Sequence, residues 1–141
     1  MARRAKISDL MKAVPMFSAC TKKELEVIAH LSTERDVPAG KVLTKEGTPG
    51  REFIIVLDGT AVATRNGKEV HRFGPGDYLG EVALLDPGER TATVVADTPM
   101  TIAVVSPSEF GDMLDEVPAL AHKVMRGLAR QIRELTGGSP L

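Results

Sequence analysis

Phe73-Gly-Pro-Gly-Asp77-Tyr-Leu-Gly80-Glu81-Val-Ala-Leu-Leu85-Asp-Pro-Gly-Glu-Arg90-Thr-Ala-Thr93-Val-Val95 is the most densely patterned stretch of this chain. Gly74-Pro75-Gly76 reads as a rigid turn before a short strand that stops at Gly80. Glu81 to Leu85 suit one helical turn, and Asp86-Pro87-Gly88-Glu89 reads as a loop that brings Arg90 back beside it. A β-branched strand then begins. Strand, single turn, loop and strand within so few residues describe a β-rich fold with a built-in corner.

Outward from that corner, short β-branched runs alternate with Gly, Pro, Asn and Asp: Lys41–Lys45, Glu52–Leu57, Thr60–Arg65, Glu69–Phe73, Thr91–Ala96 and Met100–Val105. Asp58-Gly59 and Asn66-Gly67 suit tight hairpins, because glycine tolerates positive φ. No long helix separates these strands, so residues 37–105 predict an antiparallel roll or sandwich rather than a doubly wound sheet. The flanks are helical. Ile7, Leu10, Met11 and Val14 recur at helical spacing until Pro15 ends the segment. Thr21 followed by Glu24 is a capping box that opens a helix to Leu31. Ser106-Pro107-Ser108-Glu109 caps a short helix through Asp112 to Leu114.

A longer helix is expected from Pro118 to about Leu135. Its apolar stripe is Leu120, Val124, Leu128, Ile132 and Leu135, with Lys123, Arg126, Arg130 and Arg133 on the remaining surface. Residues 137–141 break it and are expected to be disordered. The 141 residues, 43% hydrophobic, suit one compact domain made of helices 7–31, roll 37–105 and helices 106–136.

The charge balance narrows the function. With 18 basic and 19 acidic residues the net charge is −1, which argues against direct nucleic-acid binding and acidic membranes. Arg3, Arg4 and Lys6 read as a solvated, frayed end. Cys20 is the single cysteine, so no intramolecular disulfide forms, and it reads as a small buried residue. No stretch approaches the roughly 20 apolar residues of a membrane span, and a signal-peptide core is missing. A cytoplasmic protein without membrane insertion is expected. His30, His71 and His122 have no ligand-like spacing, so no metal or haem is expected.

The corner itself offers chemistry. The first amides of a helical turn lack internal partners and carry the positive end of the peptide dipoles. A glycine at the mouth admits an anion closely. Glu81 adds an acceptor-only carboxylate that suits a ribose hydroxyl, and Arg90 adds a planar donor fork that suits phosphate. Thr91 can give a hydroxyl to the phosphate or to a base. A structural Glu81–Arg90 ion pair that merely fastens the roll accounts for the same residues. Catalysis is not expected: Asp77, Glu81, Asp86 and Glu89 have no nucleophile, metal set or paired base with them.

The run from Phe73 through Leu85, followed by Arg90-Thr-Ala-Thr-Val, resembles the phosphate-binding cassette (residues 80–93 here) of cyclic nucleotide-binding domains. Lys45-Glu-Gly47 and Phe53-Ile-Ile-Val-Leu-Asp-Gly59 match the family's glycine-punctuated strands, and the likeness extends from Leu10 to Thr136. It implies a mainly β fold, an antiparallel β-roll or jelly roll (double-stranded β-helix) with N-terminal helices and a C-terminal lid helix. It implies a site of Gly80, Glu81, Val82, Ala83, Arg90, Thr91 and Ala92, with Glu81 on the ribose 2′-hydroxyl and Arg90 on the cyclic phosphate. The base would lie near Val62 and Val82, under a lid in which Arg126, Arg130, Arg133, Leu135 and Thr136 are candidates. The implied ligand is cAMP or cGMP, with cAMP favoured, and Thr91 alone does not decide the base. The implied role is a non-catalytic regulatory sensor whose C-terminal helix moves on binding. The alternative is a ligand-independent scaffold domain that uses the ion pair structurally.

Members of that family usually carry an attached effector, and nothing effector-like follows Thr136. The chain is therefore expected to be a stand-alone sensor acting on a protein partner, or one piece of a larger protein; Met1 and the loose tail favour the former. Val117, Val124 and Leu128 approximate a heptad stripe and make a homodimer through the C-terminal helix a further expectation.

Overall fold

The computed structural model describes residues 2–137, without the side chains of residues 2–6. The expected disorder of residues 138–141 and the surroundings of Arg3, Arg4 and Lys6 lie outside what it describes. Two compact units emerge: a helical one formed by residues 2–31 and 108–137, and a β-unit formed by residues 32–107.

In the helical unit, α1 spans Ala2–Lys12. It starts five residues earlier than Ile7, because Ala, Arg and Lys are good helix formers even without an apolar stripe. Pro15 opens a 3-10 turn, Pro15–Phe17, whose Met16 and Phe17 are buried. Helix α2, Lys22–Leu31, starts at the expected capping box. The Glu24 amide donates to Thr21 Oγ1 at 3.2 Å, and the Thr21 amide donates to Glu24 Oε1 at 2.8 Å. That carboxylate also pairs with Lys123, which, with the capping bond, holds it below its ordinary pKa. Cys20 is buried, and burial raises its thiol pKa.

Ten short strands make the β-unit: β1 Thr33–Val37, β2 Val42–Thr44, β3 Pro49–Gly50, β4 Phe53–Asp58, β5 Ala61–Arg65, β6 Lys68–Phe73, β7 Tyr78–Leu79, β8 Gly88–Glu89, β9 Thr93–Ala96 and β10 Met100–Val105. They form two four-stranded antiparallel sheets, ordered β1-β10-β4-β7 and β2-β9-β5-β6, and a two-stranded piece, β3-β8. Ile54, Val56, Ala61, Ala63, Val94, Ala96, Met100, Ile102 and Val104 form one core cluster contributed by strands of both sheets. This is the expected jelly-roll-like fold.

Two turn readings divide. Asn66 (φ 53°) and Gly67 (φ 79°) both take positive φ and join the paired strands β5 and β6, a tight hairpin as expected. Asp58-Gly59 is not a hairpin, because β4 and β5 belong to different sheets. Gly59 is a corner: a Cβ there would lie 2.9 Å from the Met100 Cα and closer still to the Pro99 carbonyl. Strand β1 escaped the sequence reading because Thr-Glu-Arg-Asp-Val is polar, and only its ladder with β10 makes it a strand.

Helix α3, Glu81–Leu85, is the expected single turn. Helix α4 runs from Pro107 to Glu116, two residues beyond Leu114. Helix α5, Leu120–Leu135, begins after Ala119 in the left-handed region at φ 65° rather than at Pro118. Of its stripe, Leu120 and Val124 are buried and Leu128 half-buried, while Ile132 and Leu135 are exposed.

Gly127 sets α5 tightly against the 3-10 turn, since a Cβ there would overlap the Pro15 carbonyl oxygen. In an open helix, Gly→Ala gains about 1 kcal/mol. Here Gly127→Ala is expected to lose about 1–3 kcal/mol through overpacking, and thermal unfolding of the two proteins gives the sign.

Candidate functional site

The corner lies beside a cavity of about 420 Å³ in the β-unit. Part of its lining is Gly80, Val82 and Ala83 from α3 and its cap, with Asp86, Gly88, Glu89, Arg90, Thr91 and Ala92 from the loop. Thr44, Ala63, Arg65, Val70, His71, Phe73, Leu79 and Val94 line the rest. Gly80 stands at the start of α3 with φ 78°, a conformation that suits glycine.

Arg90 is held from two sides. Its amide donates to the Thr48 carbonyl at 2.8 Å, and its carbonyl accepts from the Gly47 amide at 2.9 Å. Its Nη2 donates to the Glu52 carbonyl at 2.8 Å. The guanidinium occupies space that only glycine leaves: a Cβ on Gly50 would overlap its Nε, and one on Gly80 would overlap its Nη1. Burial lowers the Arg90 pKa, opposed by the nearby Glu52 charge. Arginine stays protonated regardless, so the cavity contains a partly desolvated cation with most of its donors unspent.

Glu81 heads α3 and makes no ion pair with Arg90 among the described residues. Its Oε2 is enclosed and has no hydrogen-bond partner. Burial pushes its carboxyl above the ordinary value and, with the Glu81 charge as a second cause, raises the Tyr78 hydroxyl. The structural ion pair that the sequence left open is therefore absent, because Arg90 is drawn to the Glu52 carbonyl instead. Glu81 is half-buried but is not among the residues lining the cavity.

The segment after Arg90 is pinned closely. Thr44 Oγ1 donates to the Ala92 carbonyl at 3.1 Å, and the Glu46 amide donates to Thr93 Oγ1 at 3.0 Å. Arg65 Nε donates to the Thr91 carbonyl at 2.8 Å. Thr91 is exposed, and its hydroxyl has no partner among the described residues.

Of the expected site residues, Gly80, Val82, Ala83, Arg90, Thr91 and Ala92 line the cavity together, whereas Val62 does not. On β5, Ala61 and Ala63 are the buried pair and Val62 alternates to the other face. Ala63 and Arg65 take the place expected for it. Strict alternation from Ala61 would have found both. Gly50 and the Glu52 carbonyl were also missed, since both act only through contacts made across the fold.

The lid candidates all lie on or just after α5, in the helical unit. Arg126 Nη2 lies 3.2 Å from His122 Nε2, and Arg130 Nη1 donates to the Ser18 carbonyl at 3.4 Å. Thr136 Oγ1 is within hydrogen-bond reach of the Ile132 and Arg133 carbonyls, at 2.9 and 3.2 Å. Arg133 and Leu135 are exposed. No cluster of three or more potential metal ligands occurs among the described residues, and none of their helices is long and apolar enough to cross a membrane.

The roll thus brings a glycine-capped turn, a clamped arginine and a carboxylate without an ion-pair partner into one corner. Residues 34–117 match the family described as cyclic nucleotide-binding domain, and the chain belongs to that family. It is 32% identical over 124 residues to a cAMP-dependent protein kinase regulatory subunit of Pyricularia oryzae, covering 86% of this chain and 32% of that protein. It is 30% identical to the cyclic AMP receptor protein of Thermus thermophilus, covering 88% of this chain and 60% of that one. The chain thus spans about a third of the kinase regulatory subunit's length. The N-terminal domain of a transcriptional regulator from Streptomyces coelicolor A3(2) superposes with a TM-score of 0.83 at 27% identity, covering 94% of this chain and 99% of that one.

The unpaired carboxylate has a measurable consequence. A carboxyl with a raised folded pKa contributes stability below its unfolded pKa and loses it as pH rises through the folded value. At neutral pH ionised Glu81 is thus a cost to the ligand-free fold. Glu81→Gln is expected to raise the melting temperature at pH 7 by about 2–5 °C. The gain should shrink as pH is lowered through the carboxylate range, as thermal unfolding at several pH values would record.

Proposed function

We propose that this chain is a non-catalytic regulatory sensor whose cavity takes a 3′,5′-cyclic purine nucleotide, cAMP in preference to cGMP. The observation that carries the reading is that two charged groups of the corner from Gly80 to Arg90 do not pair with each other. Arg90 is fixed with free donors, and half-buried Glu81 has an enclosed carboxylate oxygen, Oε2, with no donor. A cyclic phosphate complements the first, and a ribose 2′-hydroxyl complements the second. Glu81 turns from its enclosed position to the cavity as that hydroxyl arrives. The preference for cAMP is supported by the names of the relatives, a cAMP-dependent kinase regulatory subunit and a cyclic AMP receptor protein. The scaffold alternative is disfavoured, because it needs an ion pair that the described residues do not form.

Calorimetry on nucleotide-stripped protein tests the reading. cAMP is expected to bind, and Arg90→Ala to weaken it by roughly 30-fold to several-thousand-fold, because a buried phosphate loses its charged partner. No heat from cAMP or cGMP at millimolar concentration, or an Arg90→Ala effect under threefold, would sink it.

The output is proposed to be a ligand-dependent movement of α5 that reaches an unidentified protein effector. The chain's lone buried thiol suits a reducing cytoplasm. A homodimer through α5 remains part of the proposal, with a changed seam. Val117 and Val124 are buried at 2% and 4% exposure, whereas Met125, Ile132 and Leu135 are 62%, 54% and 79% exposed. With Leu128 these follow the 3-4-3 spacing of a coiled-coil stripe. A dimer mass by light scattering, reduced to a monomer by Ile132→Glu with Leu135→Glu, is the expected result.

A further inference from the structure

Besides the segment from Gly80 to Ala92, the cavity lining includes Ala63, Arg65, Val70, His71, Phe73 and Val94. It is mostly apolar, and the His71 ring meets Phe73 edge-on at 4.5 Å between centroids. Ala63, Val70, Phe73 and Val94 offer an apolar wall, so a flat heterocycle whose phosphate sits at Arg90 would place its ring against it. Three side chains of the same cavity lining can read the ring's polar edge: Arg65, His71 and Thr91. A threonine hydroxyl both donates and accepts, and a neutral imidazole does one at each nitrogen. Both adapt to either purine.

Arg65 cannot adapt. Its guanidinium only donates, and its Nε is already spent on the Thr91 carbonyl at 2.8 Å. The two Nη groups form the remaining fork and have no partner among the described residues. The Hoogsteen edge of guanine presents two adjacent acceptors, O6 and N7, while adenine presents one acceptor beside an amino donor. We propose that Arg65 is a base-reading residue whose donor fork strengthens the binding of a 6-oxopurine, guanine or hypoxanthine, and so reduces the margin by which the cavity prefers adenine. The inference rests on the cyclic-nucleotide reading above and narrows its preference for cAMP: Arg65 lets cGMP compete. The bond to Thr91 gives Arg65 a second task, because it holds in place the carbonyl of a residue that also faces the ring.

Three ligands separate these roles. cIMP shares O6 and N7 with cGMP but lacks its 2-amino group, so a loss that follows O6 includes cIMP, and one that follows the amino group excludes it. Calorimetry with cGMP, cIMP and cAMP is run on the unaltered chain, on Arg65→Met and on Arg65→Lys. Lysine keeps a donor for the Thr91 carbonyl but not the planar fork. Both variants are expected to weaken cGMP and cIMP alike, by roughly 5- to 150-fold, and to change cAMP by less than about threefold. Arg65 is exposed, and matching thermal unfolding curves confirm that the variants fold. An equal loss for all three ligands in Arg65→Met that Arg65→Lys rescues would show that Arg65 only positions Thr91, and would overturn the proposal. So would unchanged affinities, or a loss confined to cGMP. Failure of the unaltered chain to bind any of the three would instead overturn the cyclic-nucleotide reading, and this inference with it.

Discussion

Arg90 lies where a side chain on Gly50 or Gly80 would have to be, and the corner from Gly80 to Arg90 is organised around that fact. Its backbone is tied on both sides to the turn at Gly47 and Thr48, and its head is tied to the Glu52 carbonyl. One residue therefore joins the turn before β3, Gly50 in β3, the residue preceding β4 and the cap of α3. Gly80 serves two purposes at once: it takes the positive φ that starts α3 and leaves room for the guanidinium. A larger residue at either glycine would have to expel the cation before any ligand arrived.

That clamp keeps opposite charges apart. Arg90 and Glu81 are both partly removed from water and yet do not pair. An internal pair would stabilise the ligand-free protein and leave the cavity with nothing to offer. Held separately, each costs the fold something, in the way functional sites commonly trade stability for readiness. The pinned segment from Arg90 to Thr93 adds preorganisation, which lowers the ordering cost that a ligand would otherwise meet.

Much of the architecture was legible because its signals are local. The Thr21–Glu24 box closes within one helical turn, and Asn66-Gly67 needs only two residues with positive φ. Other features depended on partners far along the chain. Asp58-Gly59 has the composition of a hairpin, and only the assignment of β4 and β5 to different sheets makes it a corner. Thr33–Val37 is a strand because β10 lies beside it. Val62 was placed on the cavity face although a period of two had already set Ala61 and Ala63 together, so the neighbouring face belongs to it.

The sequence by itself determined the antiparallel roll, the helical flanks and the corner from Gly80 to Thr93, because propensity, turn chemistry and hydrophobic period act over a few residues. It also determined which residue types could meet a phosphate and a ribose. Tertiary structure alone decided that Glu81 and Arg90 stay apart, that Gly50 makes room for the guanidinium, and that Arg65 lines the cavity and bonds the Thr91 carbonyl. Those outcomes depend on distances between segments separated by tens of residues, which sheet pairing sets and local spacing does not encode.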